Sequence, residues 1–388
     1  MNLPYFLDIL LNILVFLMGA GIGSFLNVVI YRVPLGISVN NPKRSFCFSC
    51  KKQIPWYHNL PLISWLVLRG KCANCGSRIA FRYFFVELLT ACLLYAVFRH
   101  FSGGYVHGPW EQIRIWGPVV LIFWIFTALL VSGTFIDIDH YILPHVITLG
   151  GLGVGLAGSF WQPQLMGETS HWYGLLKSLM GAAFGLGLLW AVVELGKLAF
   201  GRIKQSYEAP EAWSISQPDE NEPPVFKIGE TVLTWHDIYT RPSDRLIIQS
   251  SSLTVNDRQF TSVKVEIQQH ALKVFASGGE EIFQLENVKM LSGSATEIVI
   301  PREAMGFGDV LLLAMIGSFL GWKAVLFTIL AASVLGTLIA LGPRLIGKTE
   351  WGTKLPFGPY LAGGAMIWLF WGPQILHWYL VRLHLPSA

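Results

Sequence analysis

Charge is what this chain of 388 residues has least of: Asp, Glu, Lys and Arg together make up 13% of it, about half the roughly 25% usual in soluble domains. That scarcity excludes an ordinary water-soluble domain. The net charge of +4 is what the inner loops of a membrane protein carry, and it gives no reason to expect nucleic acid as a partner. No internal repeat is evident, which argues against the paired half-repeats of many transporters. Lysine and arginine are absent from 161–171, and cysteine is limited to five residues. What fills the chain instead is apolar: 53% hydrophobic residues and a mean hydropathy of +0.50.

The apolar residues gather into about eight segments, near 5–30, 83–101, 115–136, 142–160, 173–199, 307–322, 323–342 and 358–381. Roughly 20 such residues at 1.5 Å rise cross a hydrocarbon core. The expected fold is therefore an all-α polytopic membrane protein with about eight transmembrane helices. The first segment runs without a small-residue cleavage site into Phe25-Leu26-Asn27-Val28, as a retained helix does and a signal peptide does not. Arg32, Arg69, Lys71, Arg78, Arg82 and further basic residues follow it. By the positive-inside rule this loop is cytoplasmic, which puts the N-terminus outside and the 200–305 segment inside.

Five parts follow: 1–32, the first transmembrane helix; 33–82, a cytoplasmic loop domain with four cysteines; 83–204, helices two to five; 205–303, a cytoplasmic insertion; and 304–388, helices six to eight. The insertion opens on an acidic, proline-rich linker, Gln217–Pro224, unsuited to packing. Beyond it Ser262–Ile267 alternates with period two, as do parts of 245–255, 271–276 and 296–300, and Gly278-Gly279 signals a turn. That pattern predicts a β-rich module of five to seven short strands.

Two aspartates stand where apolar segments meet water: Asp137 in Phe135-Ile136-Asp137-Ile138-Asp139-His140 and Asp309 in Gly306-Phe307-Gly308-Asp309. A carboxylate in that setting costs free energy unless the protein uses or pairs it. Two brought together share a proton and can activate a water between them. Asp139 lies about 200° around an ideal helix from Asp137, so one of the two, not both, faces Asp309. Gly306 and Gly308 let backbone approach closely. In the basic loop, Cys47-Phe48-Ser49-Cys50 and Cys72-Ala73-Asn74-Cys75 form two C-x-x-C knuckles 21 residues apart. Cys47, Cys50, Cys72 and Cys75 suit tetrahedral Zn²⁺ with no position left for water, a structural site. Cys92, inside an apolar helix, reads as a packed small hydrophobe. Gly19-Ala20-Gly21-Ile22-Gly23 has no preceding strand and reads as helix packing rather than a nucleotide loop. Asn27 and Arg32, closing the first helix, are candidates for contacting cofactor or substrate.

Gly23–Pro34, the paired knuckles, Asp137-Ile138-Asp139-His140 with Leu143-Pro144, and Gly306-Phe307-Gly308-Asp309 together resemble the type IV prepilin peptidases, GxGD-type aspartic proteases of the bacterial inner membrane. Lys354–Pro359 is also similar. The resemblance implies a bifunctional enzyme. It would cut leaders from type IV prepilins or type II secretion pseudopilins on the cytoplasmic side, then N-methylate the new terminus from S-adenosylmethionine. It places the protease dyad on Asp137 and Asp309, zinc on the four knuckle cysteines, and methylation in their loop. Its partners would be prepilins, membrane lipid, and pilus or secretion assembly proteins. This chain departs from the family in having His145 where many members carry an aspartate, and in the length of 205–303. Two competing readings are a proton- or ion-coupled transporter using the same aspartates and a non-catalytic assembly factor.

Overall fold

A computed structural model describes residues 3–42, 45–102, 109–200, 202–217, 224–229, 231–239, 244–268, 271–276, 279–288, 290–301, 306–345 and 355–382. Residues 218–223 of the acidic linker, Gly278 and Lys354 lie outside the described residues. The chain forms two compact units, 1–190 with 306–388, and 191–305.

The first unit is helical. It contains α1 (Leu3–Arg32), a short α2 (Ile63–Val67) in the cysteine loop, α3 (Phe81–Ser102), α4 (Pro109–His140), α5 (His145–Trp161) and α6 (His171–Phe200). The last helices, α8 (Phe307–Leu345) and α9 (Gly358–Arg382), follow the second unit, which contains the short helix α7 (Trp235–Ile238). Five helices among the described residues are long and apolar enough to cross a membrane, and the chain is a membrane protein. That is fewer than the eight segments expected. α5 has only 17 residues, about 25 Å at helical rise. Trp, Gln and His residues and an internal Pro373 dilute α9. Segments 307–322 and 323–342 join as α8, whose backbone leaves helical geometry at Gly321 (φ 79°).

α8 nevertheless doubles back. A Cβ added to Gly317 would lie 3.0 Å from Val325 Cγ2, whereas eight residues of straight helix separate two positions by about 12 Å. Only a reversal at Gly321, in a conformation natural to glycine, brings them together. α1 and α3 meet just as closely: a Cβ on Gly19 would sit 2.8 Å from Ala91 Cα, and one on Gly23 2.7 Å from Glu87 Cα. The small-xxx-small spacing is therefore a packing face, as expected from the sequence. Leu26, Ile30, Val86, Val131, Phe135, Ile136 and Ile147 form a core where α1, α3, α4 and α5 converge.

The second unit overturns the all-α class. Eight strands form one antiparallel sheet in the order β3-β2-β1-β8-β4-β5-β6-β7, so the protein combines a helical membrane unit with a β unit. The strands are β1 (Arg202–Ser216), β2 (Val225–Ile228), β3 (Thr231–Thr234), β4 (Leu246–Val255), β5 (Arg258–Ile267), β6 (Ala271–Ala276), β7 (Gly279–Gln284) and β8 (Leu291–Pro301). Inward residues of β4 alternate on either side of an irregularity at Gln249–Ser252, with Leu246 and Ile248 before it and Leu253 and Val255 after it buried in a core that includes Trp213, Phe226 and Ile298, the period-two pattern of a half-buried strand with one shift of phase. Tyr239 closes this core by donating its hydroxyl to the Ile267 carbonyl at 2.7 Å. Both Glu280 and Glu281 sit on the edge strand β7 in ion pairs with Lys273 and Arg258, charge of the kind that discourages edge pairing with another chain.

Candidate active site and cysteine centre

The C-terminal ends of α1 and α4 and the N-terminal ends of α3, α5, α8 and α9 gather at one end of the helical unit. Asp137, in the last turn of α4, and Asp309, in the first turn of α8, are both buried there, 5% and 8% exposed. The N–H of Gly358, which opens α9, donates to Asp137 Oδ2 at 2.9 Å. Asp309 Oδ1 is buried with no hydrogen-bond partner among the described residues, which leaves an acceptor open there for water or a ligand. The two carboxyl groups lie within electrostatic range of each other.

One leucine holds this geometry. Cβ atoms added to Gly133, Gly308 and Gly358 would lie 3.4, 2.8 and 3.4 Å from atoms of Leu143, and the one on Gly358 only 2.6 Å from Asp137 Oδ2. Three helices thus close on a single side chain because none presents a Cβ to it. Gly306 is different: a Cβ there would be 3.9 Å from Asp309 Oδ2 with nothing nearer, and its carbonyl accepts the Asp309 N–H at 3.2 Å. Asp139 is directed elsewhere, into an ion pair with Arg82 of α3 at 2.5 Å, and the guanidinium lies 5.6 Å from the centre of the Phe135 ring. The sequence alone does not identify Gly358 and Leu143 as the contacts that close the site, although both lie in motifs that carry the family resemblance.

The cysteines converge as well. Their four sulfurs lie within 4.8 Å of one another, a group that can hold a metal ion. Cys47 Sγ and Cys75 Sγ are 3.8 Å apart, the edge of a tetrahedron built on metal–sulfur bonds of about 2.3 Å. Both knuckles fold alike. Cys47 N–H donates to Lys52 O and Cys72 N–H to Ser77 O, while the residue after each second cysteine, Lys51 or Gly76, takes positive φ and donates back to the first. Donors aimed at sulfur favour thiolate: the Cys50 N–H and the Ser77 hydroxyl pull the Cys47 thiol down to about 6. Cys50 is pushed up to about 11, since desolvation and the neighbouring Cys47 and Cys75 outweigh the pull of the Lys52 N–H. Four thiols this close cannot all ionise easily without a cation between them.

Three sequence candidates take other roles. The Arg32 guanidinium, buried, donates to the carbonyls of Ser38, Val39 and Pro42 and so ties up the loop after α1. Asn27 donates to Tyr83 O at 3.0 Å, fastening α1 to α3. Cys92 is exposed on the outside of α3, not packed inside as its apolar helix suggested.

Residues 17–101 match the bacterial peptidase A24 N-terminal domain, and residues 124–205 and 273–341 match the type IV leader peptidase family. The chain belongs to that family. The family match passes over 206–272, most of the β unit. Relatives include proteins named prepilin leader peptidase/N-methyltransferase. That of Aeromonas hydrophila is 28% identical over 95% of this chain and 93% of its own length, and that of Pseudomonas aeruginosa 27% over 94% and 91%. That of Myxococcus xanthus is 41% identical over a shorter stretch, 47% of this chain and 48% of its own. No solved structure matches.

Proposed function

We propose that this leader peptidase cuts the leader from type IV prepilins or type II secretion pseudopilins and then N-methylates the new terminal residue, with S-adenosylmethionine as methyl donor. The observation that carries the cutting half is the buried pair, Asp137 and Asp309, closed around Leu143 with the Gly358 N–H on Asp137. Family membership and the relatives' names support the methylating half.

In the cut, the pair shares a proton. One carboxylate takes the proton of the attacking water while its protonated partner polarises the scissile carbonyl. The Gly358 N–H holds Asp137 in place through the step, and Asp309 Oδ1, which has no donor among the described residues, is the atom left for water or peptide. Water and an extended peptide reach helix ends more cheaply than the membrane midplane. Gly306, whose Cβ position meets nothing nearer than Asp309 Oδ2 at 3.9 Å among the described residues, suits the approach of substrate backbone, and Asp139, paired with Arg82, supports the wall between α3 and α4.

Cys47, Cys50, Cys72 and Cys75 would hold Zn²⁺, which supplies a structural crosslink for the 33–82 loop. In this reading 1–32, 83–204 and 304–388 make the intramembrane peptidase, 33–82 serves methylation, and 205–303 is an accessory insertion. The protein sits in the bacterial inner membrane, with its N-terminus periplasmic and both activities on the cytoplasmic side, as the basic residues around the cysteines indicate.

The test is to mix membranes carrying the wild type, Asp137→Ala or Asp309→Ala with a prepilin and to read the pilin N-terminus by mass spectrometry. Cutting with addition of one methyl by the wild type, and no cutting by either variant, is the expected outcome; variants that cut normally overturn the dyad.

A further inference from the structure

A cavity of about 580 Å³ lies between the end of α1, the start of α3 and the cysteine loop, within the roughly 300–1,000 Å³ of small-molecule sites. Tyr31, Phe48, Tyr57, Trp65, Tyr83 and Phe84 line it, and both cysteine knuckles contribute to its wall. Glu87 is the one carboxylate among its described lining residues. This glutamate is unusual in its place, inside the apolar segment Phe81–Ser102, where a charge is retained at a cost. It accepts the Leu62 N–H at 2.8 Å, with the Ser24 hydroxyl nearby. A carboxylate offers about four acceptor positions, so positions remain for a ligand. Neither the aspartate pair nor the cysteine cluster uses it.

The ligand chemistry follows from this lining. Aromatic faces attract cations and accept apolar side chains, a lone, partly buried carboxylate pairs with an ammonium, and Lys52 and Arg78, which also line the cavity, suit a carboxylate. A sulfonium methyl donor with an amino-acid tail, together with a peptide whose first residue is a free apolar amine, presents all of these groups. We infer that this cavity is the methyl-transfer chamber and that Glu87 holds and deprotonates the terminal ammonium of the trimmed pilin.

This inference rests on the methylating half of the proposed function. Glu87 takes one proton from the ammonium, and the nitrogen lone pair then attacks the methyl carbon of the sulfonium. A C–N bond forms, the C–S bond breaks with its electron pair passing to sulfur, and a neutral thioether and a methylammonium remain.

Glu87→Gln tests it, because the amide oxygen still accepts the Leu62 N–H while the charge is gone. Full-length protein in nanodiscs is titrated with a short apolar peptide beginning in phenylalanine, either with a free amine or N-acetylated, and separately with S-adenosylhomocysteine. The wild type is expected to favour the free amine by about tenfold. Glu87→Gln loses that preference, binds S-adenosylhomocysteine as before, still cuts prepilin, and methylates pre-cut pilin at least about 100-fold more slowly. A Glu87→Gln protein that methylates at the wild-type rate, or keeps the amine preference, overturns the assignment of Glu87. A wild type that cuts without methylating overturns the methylating half of the function instead. Should the variant also lose cutting, the wild type decides: equal affinity for free and acetylated peptide overturns the inference.

Discussion

The helical unit and the β unit spend their charges in opposite ways. In the β unit, ion pairs such as Lys204–Glu297, Arg258–Glu281 and Lys273–Glu280 are exposed on strands, where each contributes little. In the helical unit, ionisable groups are few; Asp137, Arg32 and Glu87 are each held by backbone groups at one end of the bundle, and Asp309 is buried at that same end. The contrast shows where chemistry is to be sought: not where charge is plentiful, but where the surroundings make it expensive and the fold keeps it anyway.

The sharpest way to break this contrast is at the dyad. Asp309→Asn and Asp137→Asn should each lower the rate of prepilin cutting by at least about 1,000-fold, measured by gel shift of the processed pilin, while solubilised protein elutes as the wild type does. Next comes the cysteine centre. Cys72→Ser should bring bound zinc, read by elemental analysis, from one per chain to near zero, and should cost methylation about 100-fold because the loop loses its crosslink; a variant that keeps its metal would show that three thiolates suffice.

A smaller effect is expected at Gly358. Gly358→Ala puts a methyl 2.6 Å from Asp137 Oδ2, so cutting should fall about 10- to 100-fold through misplacement of the carboxylate. Gly363→Ala on the same helix, with its nearest contact at 3.7 Å, should cut normally; equal loss in both would point to helix propensity rather than the site.

The smallest effect belongs to the β unit. Lys264, at 2.7 Å, holds the Glu266 carboxyl below its usual range against the opposing effect of burial. A depressed acid stabilises the fold above its unfolded value of 4.5, and that contribution is lost as pH falls through the native value. Amide exchange of β4 and β5 in the full chain, corrected for intrinsic rates, should quicken with falling pH below about 4.5 in the wild type by under about 1 kcal/mol. Glu266→Gln should lack that component, and a loss as large as the dyad's would erase the contrast between the units.

Much of the helical unit was legible in the sequence, since long apolar runs, paired cysteines and isolated aspartates are local signals. The turn of α8 was legible only as two adjacent segments; Gly321 marks where they reverse. The sheet was harder. β4, β5, β6 and β8 alternate visibly, but β1 carries Pro210 and Glu211 in a bulge between Ser206 and Glu211, which interrupts the period from which a strand is read. β2 and β3 are four residues each, too short for periodicity to register. At the site, residue types pointed to Asp137 and Asp309, whereas Leu143 and Gly358 act through shape and a backbone N–H. Neither property is visible in a residue's chemical type.

The hydrogen bond on Asp137 comes from a residue 221 positions further along the chain. A nascent polypeptide leaves the ribosome from its N-terminus, so the end of α4 that carries Asp137 is made long before the glycine that donates to it. On the proposed dyad, a chain cut short before residue 309 lacks one of the two carboxylates, and one cut short before residue 358 lacks the donor that steadies the other.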